Sequence, residues 1–147
     1  MKPRLEIVRH LRLEAPAARV WAVVTDHEGM AAWLGVSQSW LSKAGTIEPN
    51  GLGAERTLVD ALVGAVVERV VDWHPVQSYR YRIVSNSPFA DHLGELKLTP
   101  QGPQATDLRL AISFRPRWAG TGLLLKFLLG AKLRPALRKL KALIEAG

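Results

Sequence analysis

Few side chains in this sequence have the type and spacing of a catalytic or metal-binding motif. The chain has no cysteine, and its histidines are far apart at His10, His27, His74 and His92. That spacing matches no metal-ligand motif, and without cysteine there is no disulfide or thiolate chemistry. The segment Gly35–Ser39 lacks the final glycine of a nucleophile elbow, and Gly51–Gly53 lacks the third glycine of a dinucleotide fingerprint. The sequence therefore predicts no metal and no cofactor.

Three polar side chains on predicted strands are the candidates for catalysis or for orienting a ligand. If Leu58 points inward, Arg56 does so too, and a buried guanidinium can hold a carboxylate, phosphate or enolate oxygen. Tyr81 and His92 carry groups that are able to transfer protons. Each also has a structural interpretation, with Tyr81 as an anchor of the core and His92 at the rim of a strand. For Arg56 that alternative is an ion pair at the surface with Glu55, Asp60 or Glu68.

Aromatic residues predict the wall of an apolar cavity. Some face inward by strand parity, and others lie near the ends of strands or helices, where a mouth would form. Because aromatic side chains also fill ordinary cores, each has that alternative role. The predicted ligand-binding residues are Trp33, Trp40, Arg56, Tyr79, Tyr81, Phe89, His92, Phe114 and Trp118.

The elements that position these residues follow from hydrophobic periodicity. Alternation over Leu5–Leu13 predicts a strand, and Pro16 suits the first position of the helix after it. Thr25 and Glu28 have the spacing of a capping box before a second short helix, which ends at Gly35. Short turns separate the later strands and indicate an antiparallel meander. The predicted strands are Val36–Ser42, Glu55–Val59, Ala65–Trp73, Ser78–Val84, His92–Thr99 and Asp107–Arg115.

The last three predicted strands each have an apolar face and a charged face. Glu95 lies on a strand between two strands that carry arginines, so cross-strand ion pairs are expected. The outer basic residues are then a solvated sheet face rather than a nucleic-acid site. The parity of Ala65–Trp73 is mixed, and its orientation is left open.

The end of the chain, Trp118–Gly147, has the strongest helical pattern. Its first turns, residues 123–129, carry leucine or phenylalanine all round the axis, which predicts cover on every side. Pro135 lacks an N–H and clashes with the preceding turn, so a kink or break is expected between Gly130 and Pro135. A stripe at spacings of three and four predicts burial against the sheet: Leu133, Leu137, Leu140 and Ile144.

Several stretches carry a resemblance to a known family. They are Leu11–Leu34, Gly51–Thr57, Val67–Trp73, Tyr79–Ser85, Gly94–Pro100, Phe114–Pro116 and Leu137–Glu145. In these the chain resembles the START/Bet v 1-like (SRPBCC) helix-grip superfamily, in its bacterial polyketide cyclase/dehydrase and lipid-transport branch. The resemblance implies an α+β fold, with a curved seven-stranded antiparallel sheet wrapped round a long C-terminal helix and two short helices after the first strand. It implies a single ligand-binding domain over residues 1–147.

The same resemblance implies a function. It favours binding or transport of a small hydrophobic ligand, such as a lipid, quinone or polyketide-like aromatic, in a cavity between the sheet and the C-terminal helix. The alternative is a polyketide cyclase/dehydratase that acts on a ligand in the same cavity.

Charge and hydropathy bound the partners and the location. A net charge of +7 favours anionic partners, and the basic C-terminal helix is expected to associate weakly with an anionic membrane surface. Because the charge is spread out, no specific nucleic acid is expected. The N-terminus has no apolar signal region, and Lys126 interrupts the most apolar run, so a cytoplasmic location is predicted.

Overall fold

The computed structural model describes residues 2–147. In chain order the elements are β1 (Leu5–Leu13), α1 (Ala17–Val24), a 3-10 helix (Glu28–Ala32), β2 (Gln38–Lys43), β3 (Glu55–Asp60), β4 (Gly64–His74), β5 (Ser78–Ile83), β6 (Phe89–Pro100), β7 (Thr106–Pro116) and α2 (Gly122–Ala146). The predicted order is confirmed, and the second of the two short helices is a 3-10 helix.

The seven strands form one antiparallel sheet in the order β1-β7-β6-β5-β4-β3-β2. From β2 to β7 each strand pairs with the next along the chain, and β1 joins the far side of β7. Register shifts interrupt the pairing of β2, β4 and β6 with a neighbouring strand, and such bulges bend a strand. The curved sheet packs on α2, so the predicted helix-grip α+β fold is confirmed.

The two faces of the sheet differ as the strand parity predicted. The inner face of β5, β6 and β7 is buried, and Tyr79, Leu108 and Phe114 are almost fully enclosed. On the outer face Glu95 accepts a hydrogen bond from Arg80 (2.8 Å) and another from Arg109 (3.4 Å). The expected cross-strand ion pairs are therefore confirmed. The structure also orients β4, whose Val66, Glu68 and Val70 are buried.

The second half of α2 matches its prediction, because Leu133, Leu137, Leu140 and Ile144 are all buried. Of the two predicted alternatives, a kink or a break, the break is wrong, since the helix is continuous through Pro135. Pro135 and Ala131 both lie on the exposed side, so water can satisfy the carbonyl that Pro135 cannot bond. None of the helices in residues 2–147 has a stretch long and apolar enough to cross a membrane.

The first turns of α2 are the main surprise of the fold. Leu123 is 78% exposed and Phe127 is 71% exposed, and Leu124 and Leu128 are also exposed. The expectation of cover on every side is wrong, because a helix that lies on one sheet has only one covered side. The helix also begins at Gly122, after a loop that contains Trp118.

The two expected helix-start signals near α1 are also corrected. Pro16 is the residue before the first turn of α1, and its extended backbone (ψ 150°) leads into the helix. Thr25 ends α1, and its hydroxyl donates a hydrogen bond back to the carbonyl of Trp21 (2.6 Å). The 3-10 helix has His27 at its N-cap, and no side chain caps it, so the predicted capping box is wrong.

Candidate ligand-binding site

A cavity of about 180 Å³ lies between the inner face of the sheet, the segment around the 3-10 helix and the first half of α2. Most of its wall is apolar. The aliphatic residues of the wall include Leu58, Val66, Ile83, Leu96, Leu110, Ile112, Leu125, Leu129 and Leu133. Few polar side chains reach it, and most of those gather at one end, which we call the closed end.

The closed end is built around Arg56, which is only 2% exposed. The pairing of β3 with β4 places Arg56 directly opposite Glu68. Arg56 Nε donates a hydrogen bond to Glu68 Oε1 (2.8 Å), and Nη2 lies 2.8 Å from the same oxygen. A buried guanidinium requires such a partner because an uncompensated charge in the core is costly.

Two further groups complete the partners of Arg56. Its Nη1 donates to the hydroxyl of Tyr79 (3.1 Å) and lies 3.2 Å from Nδ1 of His27. The Tyr79 hydroxyl in turn donates to the carbonyl of Val24 at the end of α1 (3.0 Å). The closed end therefore ties three strands to the segment after α1.

His27 is fully buried and neutral. An arginine N–H faces its Nδ1, so Nδ1 must accept and the ring proton must be on Nε2. From Nε2 it donates to the carbonyl of Asn50 (2.9 Å). Burial, and then the positive charge of Arg56, lower the pKa of His27 to about 4. The ring therefore joins the loop before β3 to the guanidinium without adding a charge.

Tyr81 lies flat beneath the guanidinium, with Arg56 Cζ 4.4 Å from the centre of its ring. Gly94 is its partner on β6, and a Cβ there would lie 2.2 Å from Tyr81 Cζ. A glycine is therefore needed to make room for the ring. Burial raises the pKa of the Tyr81 phenol above its ordinary value, so the hydroxyl keeps its proton at neutral pH.

His92 enters the cavity from a bulge in β6. The register shifts between Ala90 and Leu93, and Asp91 has a positive φ of 47°. Bulges of this kind redirect a side chain. His92 Nδ1 accepts the backbone N–H of Ile83 (3.2 Å), so the ring proton lies on Nε2. Burial lowers the pKa of His92 to about 4, and the ring is a neutral hydrogen-bond donor.

The opposite end of the cavity, which we call the mouth, lies between α2 and the turns that follow β3 and β5. Its wall includes Leu62, Ser87, Phe89, Leu128 and Lys132. An ion pair between Lys132 and Asp60 joins α2 to the turn after β3. Asp60 also accepts the backbone N–H groups of that turn, from Leu62 (2.7 Å) and Val63 (3.1 Å). Burial by itself would raise the pKa of Asp60, but the hydrogen bond from Lys132, and then those from Leu62 and Val63, lower it.

The structure brings most of the predicted ligand-binding residues into one wall. Six line the cavity: Trp33, Arg56, Tyr79, Tyr81, Phe89 and His92. Arg56 points into the protein, as its predicted role in ligand binding requires. It also pairs with Glu68, as the structural alternative requires, but this pair is buried rather than at the surface. Whether these side chains contact a ligand remains a prediction.

Three predicted residues are not part of the wall. Trp40 is exposed because its neighbour Leu41 packs on the core and strand parity turns Trp40 outward. Phe114 is fully buried behind the wall, with its ring edge-on to Phe89 at 4.8 Å. Trp118 is more than half exposed in the loop before α2. These three residues do not line this cavity, and a contact with a ligand stays a prediction for them.

Two residues of the closed end were not predicted as site residues. Glu68 was named only as a possible surface partner of Arg56, because the mixed parity of β4 hid its orientation, and His27 was missed because it lies in a turn. A signal for Glu68 was nevertheless present. If Asp60 pairs with Gly64 at the turn between β3 and β4, the hairpin register places Arg56 opposite Glu68. No comparable signal in the sequence brings His27 to Arg56.

The cavity wall also contains an unpartnered donor. Trp33 is 3% exposed and its Nε1 is the one buried side-chain nitrogen or oxygen without a hydrogen-bond partner in residues 2–147. A buried N–H without a partner costs about 1–3 kcal/mol, so such groups need an explanation.

An apolar cavity held between a curved sheet and a long helix is the architecture of a START-like ligand-binding fold. The family model described as polyketide cyclase/dehydrase and lipid transport matches residues 4–145. This chain belongs to that family.

Solved structures share the fold across nearly their full length. A START superfamily protein from Mycobacterium smegmatis is 16% identical with a TM-score of 0.81, over 96% of this chain and 97% of that one. The Zhui aromatase/cyclase from a Streptomyces species is 18% identical with a TM-score of 0.80, over 97% and 94%. A Thermobifida fusca protein solved by NMR is 23% identical with a TM-score of 0.75, over 95% and 92%. No curated protein sequence matches this chain.

Proposed function

We propose that this protein binds and carries a small hydrophobic molecule in the cavity, with the ligand's oxygen toward the closed end. The observation that supports this most is the cavity itself, which is apolar except for a few converging donors. An apolar cavity of about 150 Å³ holds a benzene-sized molecule. At about 180 Å³ this one suits a compact ring system or part of an acyl chain better than a whole lipid.

The polar groups favour binding over proton abstraction. His92 has its proton on Nε2 and its Nδ1 occupied by Ile83, so it is a donor and not a free base. The Glu68 carboxylate is bound to Arg56, and Tyr81 keeps its proton. The Nε2–H of His92 and the hydroxyl of Tyr81 can donate to a ligand carbonyl.

A thermal-shift titration tests the proposal. A panel of bicyclic aromatics, quinones and short fatty acids should contain a ligand that raises the melting temperature with concentration. Native mass spectrometry of the purified protein should show any molecule carried from the cell. The proposal fails if no member of the panel raises the melting temperature and only the free chain is seen.

Two substitutions on one strand locate the bound ligand. Val66→Phe adds bulk to the cavity wall and should abolish the shift, whereas Val71→Phe is the same change at an exposed position of β4 and should retain it. Equal ligand shifts in both variants would place the ligand elsewhere.

A matched ligand pair tests whether the ligand's oxygen lies at the closed end. 1-Tetralone and tetralin differ by one carbonyl, and the wild type should bind the ketone more tightly. His92→Phe should remove most of that preference while tetralin binding is retained.

A cyclase/dehydratase that acts on a bound polyketone is the second candidate. It is supported by the neutral His92 donor beside the cationic Arg56, an arrangement that can polarise a carbonyl. If the protein is such an enzyme, His92→Phe should lower turnover far more than it weakens binding. If it is a carrier, there is no turnover to lose.

A further inference from the structure

The start of α2 exposes a cluster of large apolar side chains, which we call the apolar patch. It consists of Trp118, Leu123, Leu124, Phe127 and Leu128. Scattered exposed leucines are ordinary, but contiguous apolar surface of this kind marks an interaction site. Leu128 also lines the cavity mouth, and Leu62 across the mouth is 77% exposed. The patch is therefore continuous with the entrance to the cavity.

Basic residues surround the patch. A groove of about 280 Å³ between β1 and α2 contains Arg9, Lys126 and Arg134 together with Phe127, and no carboxylate lines it. None of these three cations forms a salt bridge within residues 2–147. The guanidinium of Arg9 lies over Gly130, where a Cβ would be 3.1 Å from its Nη2.

Basic side chains also lie beside aromatic or aliphatic side chains at the two ends of the patch. In the loop before α2, Arg117 lies over the ring of Trp118 at 5.3 Å. Farther along the exposed side of α2, Arg134 and Arg138 follow the leucines. Over its full length α2 has a single acidic residue, Glu145. A surface with an aromatic and aliphatic centre and a cationic rim is complementary to the headgroup region of an anionic bilayer.

We infer that the apolar patch docks on an anionic phospholipid bilayer and that the cavity mouth then opens toward the lipid. A second copy of this chain is a poorer occupant. A two-fold dimer through the patch would bring Lys126 and Arg134 close to their own symmetry mates, where like charges repel. Docking on the bilayer does not require a bound ligand, so the inference stands independently of the function proposed above.

Vesicle co-sedimentation tests the docking. The wild type should bind vesicles of phosphatidylcholine with about 30 mol% phosphatidylglycerol and bind pure phosphatidylcholine at least about tenfold more weakly. Raising the salt from about 0.1 to about 0.5 M should release much of the bound protein. Absence of binding to the anionic vesicles, or equal binding to both compositions, would overturn the inference.

Matched variants assign the contact to the patch. Leu123→Asn combined with Phe127→Asn should weaken binding at least about tenfold, because both side chains would lose their burial in lipid. Leu143→Asn changes an exposed leucine on the same helix outside the patch and should bind as the wild type does. Neither Leu123 nor Phe127 lines the cavity, so ligand-induced thermal shifts should be unchanged. Retained vesicle binding by the double variant would contradict the inference.

Two more readouts separate the bilayer from other partners. Lipids brominated on their acyl chains should quench tryptophan fluorescence in the wild type, and Trp118→Phe should lose part of that quenching. Size-exclusion chromatography with light scattering shows whether a second copy of this chain binds to the first. A wild-type dimer that the double variant converts to monomer, without vesicle binding by either, would show that the patch is a subunit interface and overturn the inference.

Discussion

The two ends of the cavity reverse the ordinary distribution of side chains. At the closed end the charged groups Arg56 and Glu68 lie inside the protein with hydrogen-bond partners. In the apolar patch beside the mouth, Leu123 and Phe127 lie on the surface of the protein without cover. Buried charge and exposed apolar surface say more about function than exposed charge and buried apolar groups do. Each is costly unless it serves packing, binding or docking. The difference suggests a rigid polar end that orients a ligand and an apolar end that meets a partner.

The largest expected effect is the loss of the buried cation. Arg56→Met should destabilise the protein by about 3–5 kcal/mol, because Glu68 would remain buried without its partner. Urea unfolding at neutral pH measures the change. Arg69→Met is the matched control, since Arg69 pairs with Glu55 one register position away but is exposed, and its loss should be under about 1 kcal/mol. Similar losses in both variants would mean that the buried pair of Arg56 and Glu68 contributes no more to stability than the exposed pair of Arg69 and Glu55.

The second half of α2 supplies the next effect. Leu140→Ala should cost about 2–5 kcal/mol, because Leu140 is fully buried and its truncation leaves a cavity. Urea unfolding again measures the loss. A value under about 0.5 kcal/mol would mean that this face of the helix is not packed on the core.

Acid should weaken the closed end through His27. In the folded protein His27 stays neutral down to a pKa of about 4, whereas an unfolded histidine is protonated below its ordinary pKa of about 6.5. The unfolded state therefore binds more protons between these values, and stability falls as the pH is lowered from about 6.5 to about 4. His27 accounts for about 3 kcal/mol of this loss in the free energy of unfolding.

Unfolding free energies of His27→Gln across this range test that share. The variant should show a shallower loss of stability on acidification than the wild type, and His10→Gln, at an exposed position, should match the wild type. An unchanged slope in His27→Gln would mean that His27 is protonated, or accessible, in the folded protein.

The smallest expected effect is in the apolar patch beside the mouth. Leu124→Ala should change the free energy of unfolding by less than about 0.5 kcal/mol, because Leu124 is 59% exposed. Comparison with Leu140→Ala keeps the residue type and the helix constant. A loss comparable to that of Leu140→Ala would show that the first turns of α2 are covered, and the contrast between the two ends would disappear.

The sequence by itself determined the order of the elements and the inner face of the sheet. Alternation in strands and the stripe from Leu133 to Ile144 are local patterns, set by the periods of strand and helix, and both agree with the structure. The family resemblance supplied the helix-grip arrangement. It also placed the cavity between sheet and helix, where six of the predicted residues now lie.

Only the tertiary structure decided which charged groups are buried together and which apolar groups remain uncovered. Hairpin register brings Glu68 to Arg56, and the path of the chain after α1 brings His27 to the same guanidinium. Pro135 is tolerated because it lies on the solvent side of α2. Leu123 and Phe127 have the same hydrophobicity whether covered or not, and their exposure follows from the one side on which the sheet meets α2. Periodicity records what a side chain prefers, whereas burial depends on what the rest of the chain places against it.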